Sequence, residues 1–265
     1  MSSKNKKVAV AVVADFPFLL KYFKKFYYNL RQNGNFKYDL VVLTSYNLFT
    51  FGYQIFTLLM YKNVKFQRNR KIKFTKDAEK SLKNLNTGSQ PNRHLNKRFQ
   101  WHKINLFDSK IKKYDFVLYL DINMTIHFDI NPLLSEYPIS KLYAKADGFP
   151  RYERKLKSQF DTSKFQYTEL NKNYNLEFTK YFQTGLLYFD TNIVNLETKK
   201  NLINLVDLYP ITTTNEQAIM NLYFAFDNDF YEELPDESDD MMNYFYWMIK
   251  DRKIRITKQI RTQYK

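Results

Sequence analysis

An aspartate and an asparagine two residues apart, Asp121 and Asn123, directly follow the apolar run FVLYL at 116–120. In a strand, side chains two positions apart face the same side, so both oxygens can meet one ligand. Two hard oxygen donors at this spacing suit Mg²⁺ or Mn²⁺, which keeps other positions for water and phosphate oxygens. The alternative is an Asx-type turn in which both side chains bond their own backbone. On spacing alone, the turn is the simpler interpretation.

Predicted strands alternate with predicted helices along the chain. Short apolar runs predict strands at 8–14, 38–45, 114–120, 141–146 and 185–190. Helical spacing predicts helices from Pro17 onward and at 46–62 (with weak caps), 97–113, 192–209 and 215–226. This alternation indicates an α/β sandwich with a mostly parallel central sheet.

Ligands of open α/β sheets bind where the parallel strands end. The residues that follow the predicted strands are therefore the first candidates for a site: Asp15, Thr44, Asp121, Asp147 and Asp190. Four of these five residues are acids, which favours a polar or metal-binding site at that edge.

The 265 residues predict one domain, and the net charge of +15 suits a polyanionic partner. Basic residues crowd into 62–113, and 227–240 is acidic. Nucleic acid is one candidate partner, although no nucleic-acid-binding motif is present. A solvated basic loop at about 63–96, together with a basic tail at about 250–265, is the simpler interpretation.

The chain has no cysteine, which excludes disulfides, thiolate metal sites and a cysteine nucleophile. The apolar run after the basic start ends at Asp15, too early for a signal peptide, and no window reaches the length of a membrane span. We expect a soluble, cytoplasmic protein. The sequence does not predict the oligomeric state.

Five stretches, which follow one another along the chain in the family's order, resemble family 8 glycosyltransferases, the group that includes glycogenin and the lipopolysaccharide galactosyltransferases. YDFVLYLDIN resembles the strand that ends in the family's DxD motif, and HKINLF the basic helix start before it. YFQTGLLYFD and TNEQAIMNLYF resemble a later strand and helix start, and AVVADF the first strand. The resemblance spans about 8–226 and implies a GT-A fold, the Rossmann-like fold that binds nucleotide sugars.

The resemblance also implies roles for individual residues. The donor would be a UDP-sugar, with a hexose transferred under retention of configuration to a glycan or protein acceptor, and Mn²⁺ or Mg²⁺ as cofactor. Asp121 and Asn123 would hold the metal, and Gln217, Asp147 and Glu216 would act at the donor sugar. The residues implied to bind the donor or its cofactor are Ala14, Asp15, Lys103, Asp121, Ile122 and Asn123, and Gln183, Thr184 and Gly185 would line the acceptor side.

Each of these residues has a purely structural alternative. Asp147 and Gly148 are a common turn pair, and Thr213 with Glu216 has the spacing of a capping box. Lys103 would be a solvated helix residue, as most lysines are. Gly185 would only permit close packing of a strand.

The sequence departs from the family pattern at two places. Asn123 replaces an aspartate, which removes one negative charge from the metal pair. No histidine follows His127, although the family closes its metal site with one near the C-terminus. One hypothesis is that Lys258 and Arg261 fold back over the diphosphate instead. The other is a GT-A domain that binds a nucleotide sugar or glycan without transferring it.

Overall fold

The computed structural model describes residues 6–85, 97–147, 153–234, 243–246 and 254–258. The strands in these ranges are β1 (Val8–Val13), β2 (Leu40–Ser45), β3 (Val64–Asn69), β4 (Phe116–Leu120), β5 (Met124–Ile126), β6 (Leu142–Ala146), β7 (Phe182–Asp190), β8 (Tyr231–Glu233), β9 (Asn243–Tyr246) and β10 (Ile254–Lys258). The α-helices are α1 (Phe16–Tyr28), α2 (Leu48–Met60), α3 (Lys76–Lys83), α4 (Asn131–Ser135), α5 (Gln166–Asn173), α6 (Thr198–Leu208) and α7 (Glu216–Asn221). Turns of 3₁₀ helix occupy Arg98–Phe107, Ser109–Lys113, Leu156–Gln159 and Thr191–Ile193, and π-helical turns occupy Asn29–Asn33 and Leu222–Asp227.

Seven strands form the central sheet, in the order β3-β2-β1-β4-β7-β6-β8. Neighbouring strands are parallel except around β7, which runs antiparallel to both β4 and β6. The prediction of an α/β fold with a mostly parallel sheet is confirmed. Three further strands, in the order β5-β10-β9, form a small second sheet.

The direction of β7 corrects the prediction for Asp190. Asp190 ends β7 and lies beside Phe116, where β4 begins, so it is at the edge opposite to the ends of β1, β2 and β4. There its carboxylate accepts hydrogen bonds from the backbone N–H groups of Ser140 and Asn192. In an antiparallel strand the first residues, not the last, reach the edge where the parallel strands end.

Alternating residues of the strands pack on opposite faces of the central sheet, as the pleat requires. Val10 and Val12 of β1 belong to the core beneath α1, together with Phe23 of that helix. Ala9 and Ala11 belong to the core on the other face, which also contains residues of α6 and α7. The fold is therefore a sheet between two layers of helices.

Helices α1 and α2 begin at residues that cap them. The Asp15 carboxylate accepts the Phe18 N–H at 3.1 Å, and Pro17 occupies the first turn. At α2, Asn47 and Thr50 form a reciprocal capping box. The prediction of weak caps for this helix was wrong. The capping box is hard to recognise in the sequence because a threonine takes the place of the usual Glu or Gln. Among the described residues, no helix is long and apolar enough to span a bilayer.

Part of the stretch predicted as a basic loop at 63–96 has regular structure. β3 pairs in parallel with β2 at the edge of the sheet, and α3 buries Ala78 and Leu82 one turn apart. An edge strand and a surface helix are each covered on one side only, so polar residues are compatible with both. Residues 86–96 lie outside the described part of the chain.

A buried residue of β7 offers a test of the core. Leu187→Ala should lower the free energy of unfolding by about 2–5 kcal/mol, because the side chain is fully buried and its removal leaves a cavity. The matched change Leu196→Ala, at a residue 82% exposed, should change it by less than about 0.5 kcal/mol. Urea denaturation measures both, and equal effects would contradict the described packing of β7.

Candidate active site

A cleft of about 700 Å³ opens at the edge of the sheet where β1, β2 and β4 end. The predicted site residues that line it are Ala14, Asp15, Lys103, Asp121, Ile122 and Asn123. Ala14 and Asp15 follow β1, and Asp121 to Asn123 follow β4, so neighbouring parallel strands bring the two groups together. The structure therefore gathers six of the predicted residues in one cavity.

Lys103 forms the centre of a buried ionic network. Its Nζ lies 3.0 Å from Asp121 Oδ1 and 3.0 Å from Glu216 Oε1, and it donates to the Thr184 carbonyl at 3.0 Å. The side chains of Lys103 and Glu216 are only 6% and 2% exposed. The interpretation of Lys103 as a solvated helix residue was therefore wrong, because the 3₁₀ turn that carries it is buried from Trp101 onward.

The charge state of Lys103 follows from its partners. Burial alone would lower the pKa of the ammonium group, but the neighbouring charges of Asp121 and Glu216 and their hydrogen bonds raise the pKa above its ordinary value. Lys103 is thus a cation at neutral pH.

Tyr119 supplies a second donor to Asp121. Its hydroxyl donates to Asp121 Oδ1 at 2.6 Å, and Lys103 Nζ lies 5.4 Å from the centre of its ring. Burial, together with the charge of Asp121, raises the pKa of Tyr119 well above its ordinary value. Tyr119 therefore stays neutral and holds Asp121 Oδ1 in place.

Glu216 is turned toward Lys103 by an unusual backbone at the start of α7. The preceding residue, Asn215, has a φ of +57°, a conformation that costs free energy for any residue other than glycine. It is held there because Asn215 Nδ2 donates to Gln100 Oε1 at 2.9 Å and Asn215 O accepts from Thr212 Oγ1 at 2.9 Å. Asn215, the N-cap residue of α7, makes no side-chain capping hydrogen bond, and the Glu216 carboxylate bonds to Lys103 and Thr184 instead, so the capping-box interpretation of Glu216 was wrong.

Gln217, next to Glu216, connects a second group of predicted residues. Its Nε2 donates to Asp147 Oδ2 at 3.3 Å and to Gln159 Oε1 at 3.1 Å. Its Oε1 accepts the Thr184 N–H at 3.4 Å. Gln159 was not predicted, because it lies in a short 3₁₀ turn outside every recognisable motif. These contacts fix the orientation of the Gln217 amide.

Thr184 joins the two groups, since its hydroxyl also donates to Glu216 Oε1 at 2.9 Å. Its neighbours Gln183 and Gly185 pack tightly: Gln183 Oε1 accepts the Gly185 N–H at 2.8 Å, and a Cβ on Gly185 would lie 2.8 Å from Met124 Cε. Gly185 therefore permits close packing of the strand, which is the structural role that the sequence offered as an alternative to a role in substrate binding. Gln183, Thr184 and Gly185 are not among the described residues that line the cleft; they lie behind Lys103 and Asp121.

Further basic and aromatic residues, which the sequence did not predict as site residues, also line the cleft. Three are basic: Lys71, Lys97 and Arg98. Three are aromatic: Phe18, Tyr46 and Phe99. The basic stretch 62–113 contains these cations. Its interpretation as a solvated loop was incomplete, because part of the stretch faces the cleft.

His102 also lines the cleft, without having been predicted. Its ring stacks on that of Phe99 at 4.3 Å between centres. Burial, with the neighbouring charges of Lys199, Lys71 and Arg98, lowers its pKa to about 4. The ring is therefore neutral at pH 7.

The C-terminal strand β10 lies beside the residues that follow Asp121 and Asn123. Its backbone pairs antiparallel with β5, and Lys258 is opposite Met124. Arg261, the second basic residue of the tail hypothesis, lies outside the described residues.

The residues at the end of β4 fit a divalent cation poorly. Asp121 is the single carboxylate of the pair, and its Oδ1 already accepts from Lys103 and Tyr119. No cluster of three or more acidic or histidine side chains that would suit a metal occurs within the described ranges. A metal at this position would also face the Lys103 cation. Metal binding by Asp121 and Asn123 remains a prediction.

Removing the central cation tests the ionic network. Lys103→Met should lower the free energy of unfolding by about 3–5 kcal/mol, because Asp121 and Glu216 are left buried without their counter-ion. Adding Glu216→Gln should restore part of this loss, since it removes one of the two uncompensated charges. Chemical denaturation of the two single variants and the double variant measures the coupling. Purely additive effects, or a Lys103→Met protein as stable as a Lys172→Met control, would contradict the network.

The neutral His102 predicts a dependence of stability on pH. Its pKa is about 4 in the folded protein and 6.5 when unperturbed, so the unfolded chain binds the proton first as pH falls. The stability that neutral His102 contributes is complete above about pH 6.5 and is lost as the pH falls from 6.5 to 4, by about 1.4 kcal/mol for each pH unit. The stability of the wild type relative to His102→Phe should fall across this window in urea titrations. Parallel curves for the two proteins would refute the burial of His102.

The chain is similar to known proteins in its fold and not in its sequence. No family model matches the chain, and no curated protein matches its sequence. Among solved structures, the galactosyltransferase LgtC, in complex with donor and acceptor sugar analogues, has a TM-score of 0.58 at 17% identity, over 89% of this chain and 75% of LgtC. The glycosyltransferase GlyE of Streptococcus pneumoniae has a TM-score of 0.53 at 17% identity, over 88% of this chain and 46% of GlyE. Mouse xyloside xylosyltransferase 1 has a TM-score of 0.51 at 10% identity, over 96% of this chain and 97% of the mouse protein. The chain has the fold of the GT-A glycosyltransferases.

Proposed function

We propose that the protein is a glycosyltransferase that takes a hexose from a UDP-sugar and transfers it, with retention of configuration, to a glycan or protein acceptor. One observation carries this proposal: in a GT-A fold, a single cleft runs from Ala14 and Asp15 at the end of β1 to Lys103, Asp121 and Asn123 near the end of β4. Such a cleft suits a ligand with an aromatic base at one end and a charged diphosphate at the other.

The part of the cleft near β1 and β2 has the chemistry of a nucleobase site. Phe18 and Tyr46, which follow β1 and β2, line the cleft, and bases stack favourably on aromatic rings. Asp15 offers backbone and carboxylate groups for hydrogen bonds to the base, although its carboxylate also caps α1. This combination supports a nucleotide as the donor's carrier.

The cations of the cleft suit a diphosphate. Lys71, Lys97, Arg98 and Lys103 line it together with the acids Asp15 and Asp121. When the sugar–phosphate bond breaks, negative charge develops on the leaving diphosphate, and fixed cations stabilise that charge. Lys103 is already held in position by Asp121 and Glu216, so little reorganisation is required of it.

Glu216 supports the donor sugar only indirectly. Its carboxylate is buried behind Lys103 and is not among the described groups that line the cleft, so it acts by holding the Lys103 cation in place. We assign Gln217 to positioning, with Asp147 beside it, because an amide is a weak nucleophile but its oxygen can stabilise an oxocarbenium-like centre.

The alternative function is a GT-A domain that binds a nucleotide sugar or glycan without turnover. It is favoured by one observation: the single carboxylate of the Asp121–Asn123 pair is already compensated by Lys103. In that case UDP would bind the cleft, but no UDP-sugar would be hydrolysed or transferred.

Substitutions at the end of β4 test the proposal. Asp121→Ala should abolish transfer from UDP-glucose or UDP-galactose, because Lys103 loses the partner that holds it at the cleft. Asn123→Asp should keep or raise activity with Mn²⁺, because it restores a second carboxylate for the cation. UDP release is the measurement, made with Mn²⁺ and with EDTA.

Glu169→Ala, on helix α5 outside the cleft, is the matched control and should have wild-type activity. Undiminished turnover by Asp121→Ala would overturn the site assignment. UDP binding by calorimetry, without release of UDP from any UDP-sugar by the wild type, would favour the silent domain instead.

A further inference from the structure

Helix α2 presents an apolar surface to solvent. Its inner side carries Thr50, Tyr53 and Thr57, the first and last of which are fully buried. Its outer side is apolar and contains no charged residue. The large residues exposed there include Leu48, Phe49, Ile55, Phe56, Leu59 and Met60. Two of them, Leu48 and Leu59 at opposite ends of the helix, are 83% and 81% exposed.

The chain around this surface is strongly cationic. Residues 16–76, which include α1, α2 and β3, contain twelve lysines and arginines and a single acid, Asp39. The Asp39 carboxylate accepts a hydrogen bond from the Tyr114 hydroxyl at 2.8 Å. The net charge of this stretch is therefore positive, and the exposed Lys62 and Lys65 follow α2 directly.

Arg68 contacts aromatic rings at the boundary between the apolar surface and the basic residues. The Arg68 guanidinium of β3 lies 5.1 Å from the ring centre of Phe51 in α2 and 5.4 Å from that of Tyr46. An arginine that covers aromatic rings at the edge of an apolar surface keeps its charge at the level where apolar surface ends. Tyr46 and Phe18 are exposed and also line the cleft, so the apolar surface continues to the cleft opening.

These features fit a lipid bilayer better than a protein. α2 has 13 residues, about 20 Å of helix, which is too short to cross a bilayer but sufficient to lie in its interface. An apolar face carried by a stretch of chain with twelve basic residues and a single acid complements anionic headgroups. We propose that the outer face of α2 docks the protein peripherally on a membrane that contains anionic lipids, with the cleft opening beside the headgroups.

Vesicle sedimentation tests this docking without any sugar substrate, so its outcome is independent of the proposed function. The probes are vesicles of phosphatidylcholine alone and of phosphatidylcholine mixed with phosphatidylglycerol. The protein should bind the mixed vesicles, more weakly as salt rises, and should not bind the neutral ones. Leu59→Gln should weaken binding roughly tenfold or more, because one leucine no longer enters the interface.

Matched controls use residues of similar exposure outside this surface. Leu196, 82% exposed, is changed to Gln, and binding should be unaffected. Lys62→Gln should weaken binding roughly fivefold, whereas the exposed Lys172→Gln should have no effect. Because these positions are exposed, all variants should melt at the wild-type temperature, which separates lost docking from lost folding.

Several outcomes would overturn the proposal. They are equal binding to neutral and anionic vesicles, no binding to either, or unchanged binding by Leu59→Gln. A dimer in light scattering that Leu59→Gln converts to monomer, without vesicle binding, would instead identify the surface as an interface between two copies of the chain.

Discussion

The buried ion network around Lys103 is the interaction on which the site depends. One cation is held by two carboxylates, Asp121 and Glu216, that come from the end of β4 and the start of α7. Buried charges are tolerated only when each is paired and hydrogen-bonded. The network therefore requires the 3₁₀ turn, β4, β7 and α7 to meet at one point, and it determines where each of them lies relative to the cleft.

The reversed direction of β7 makes this meeting possible. Because β7 is antiparallel to β4, its first residues reach the edge at which β4 ends. Thr184 then contacts Lys103, Glu216 and Gln217 through its carbonyl, hydroxyl and N–H groups. A parallel strand in this place would have brought Asp190 to the cleft instead. The strand that departs from the parallel pattern thus connects the cleft to the residues behind it.

Much of the fold could be predicted from sequence, because buried parallel strands such as VAVAVVA have an unbroken apolar pattern. The cluster at the ends of β1 and β4 could be predicted for the same reason. What could not be predicted depends on tertiary context. β3 is polar because it is an edge strand, the direction of β7 leaves no trace in its composition, and Gln159 reaches Gln217 only through the fold. In the sequence, the cations of the cleft belong to a long basic stretch. No periodicity distinguishes the basic residues that face inward from those that face solvent.

The place of β7 also has a consequence for how the chain acquires its structure. β1, β2, β3 and β4 all precede residue 121, whereas β7 must insert between β4 and β6 from far along the chain, and Lys103 and Thr184 are separated by 81 residues. Contacts of such sequence separation require closure of long loops and form slowly. During synthesis, Lys103 and Asp121 are added to the chain well before Glu216. The ionic network can therefore be completed only after β7 has paired with β4 and α7 has been synthesised, so an assembled site marks a late stage of folding.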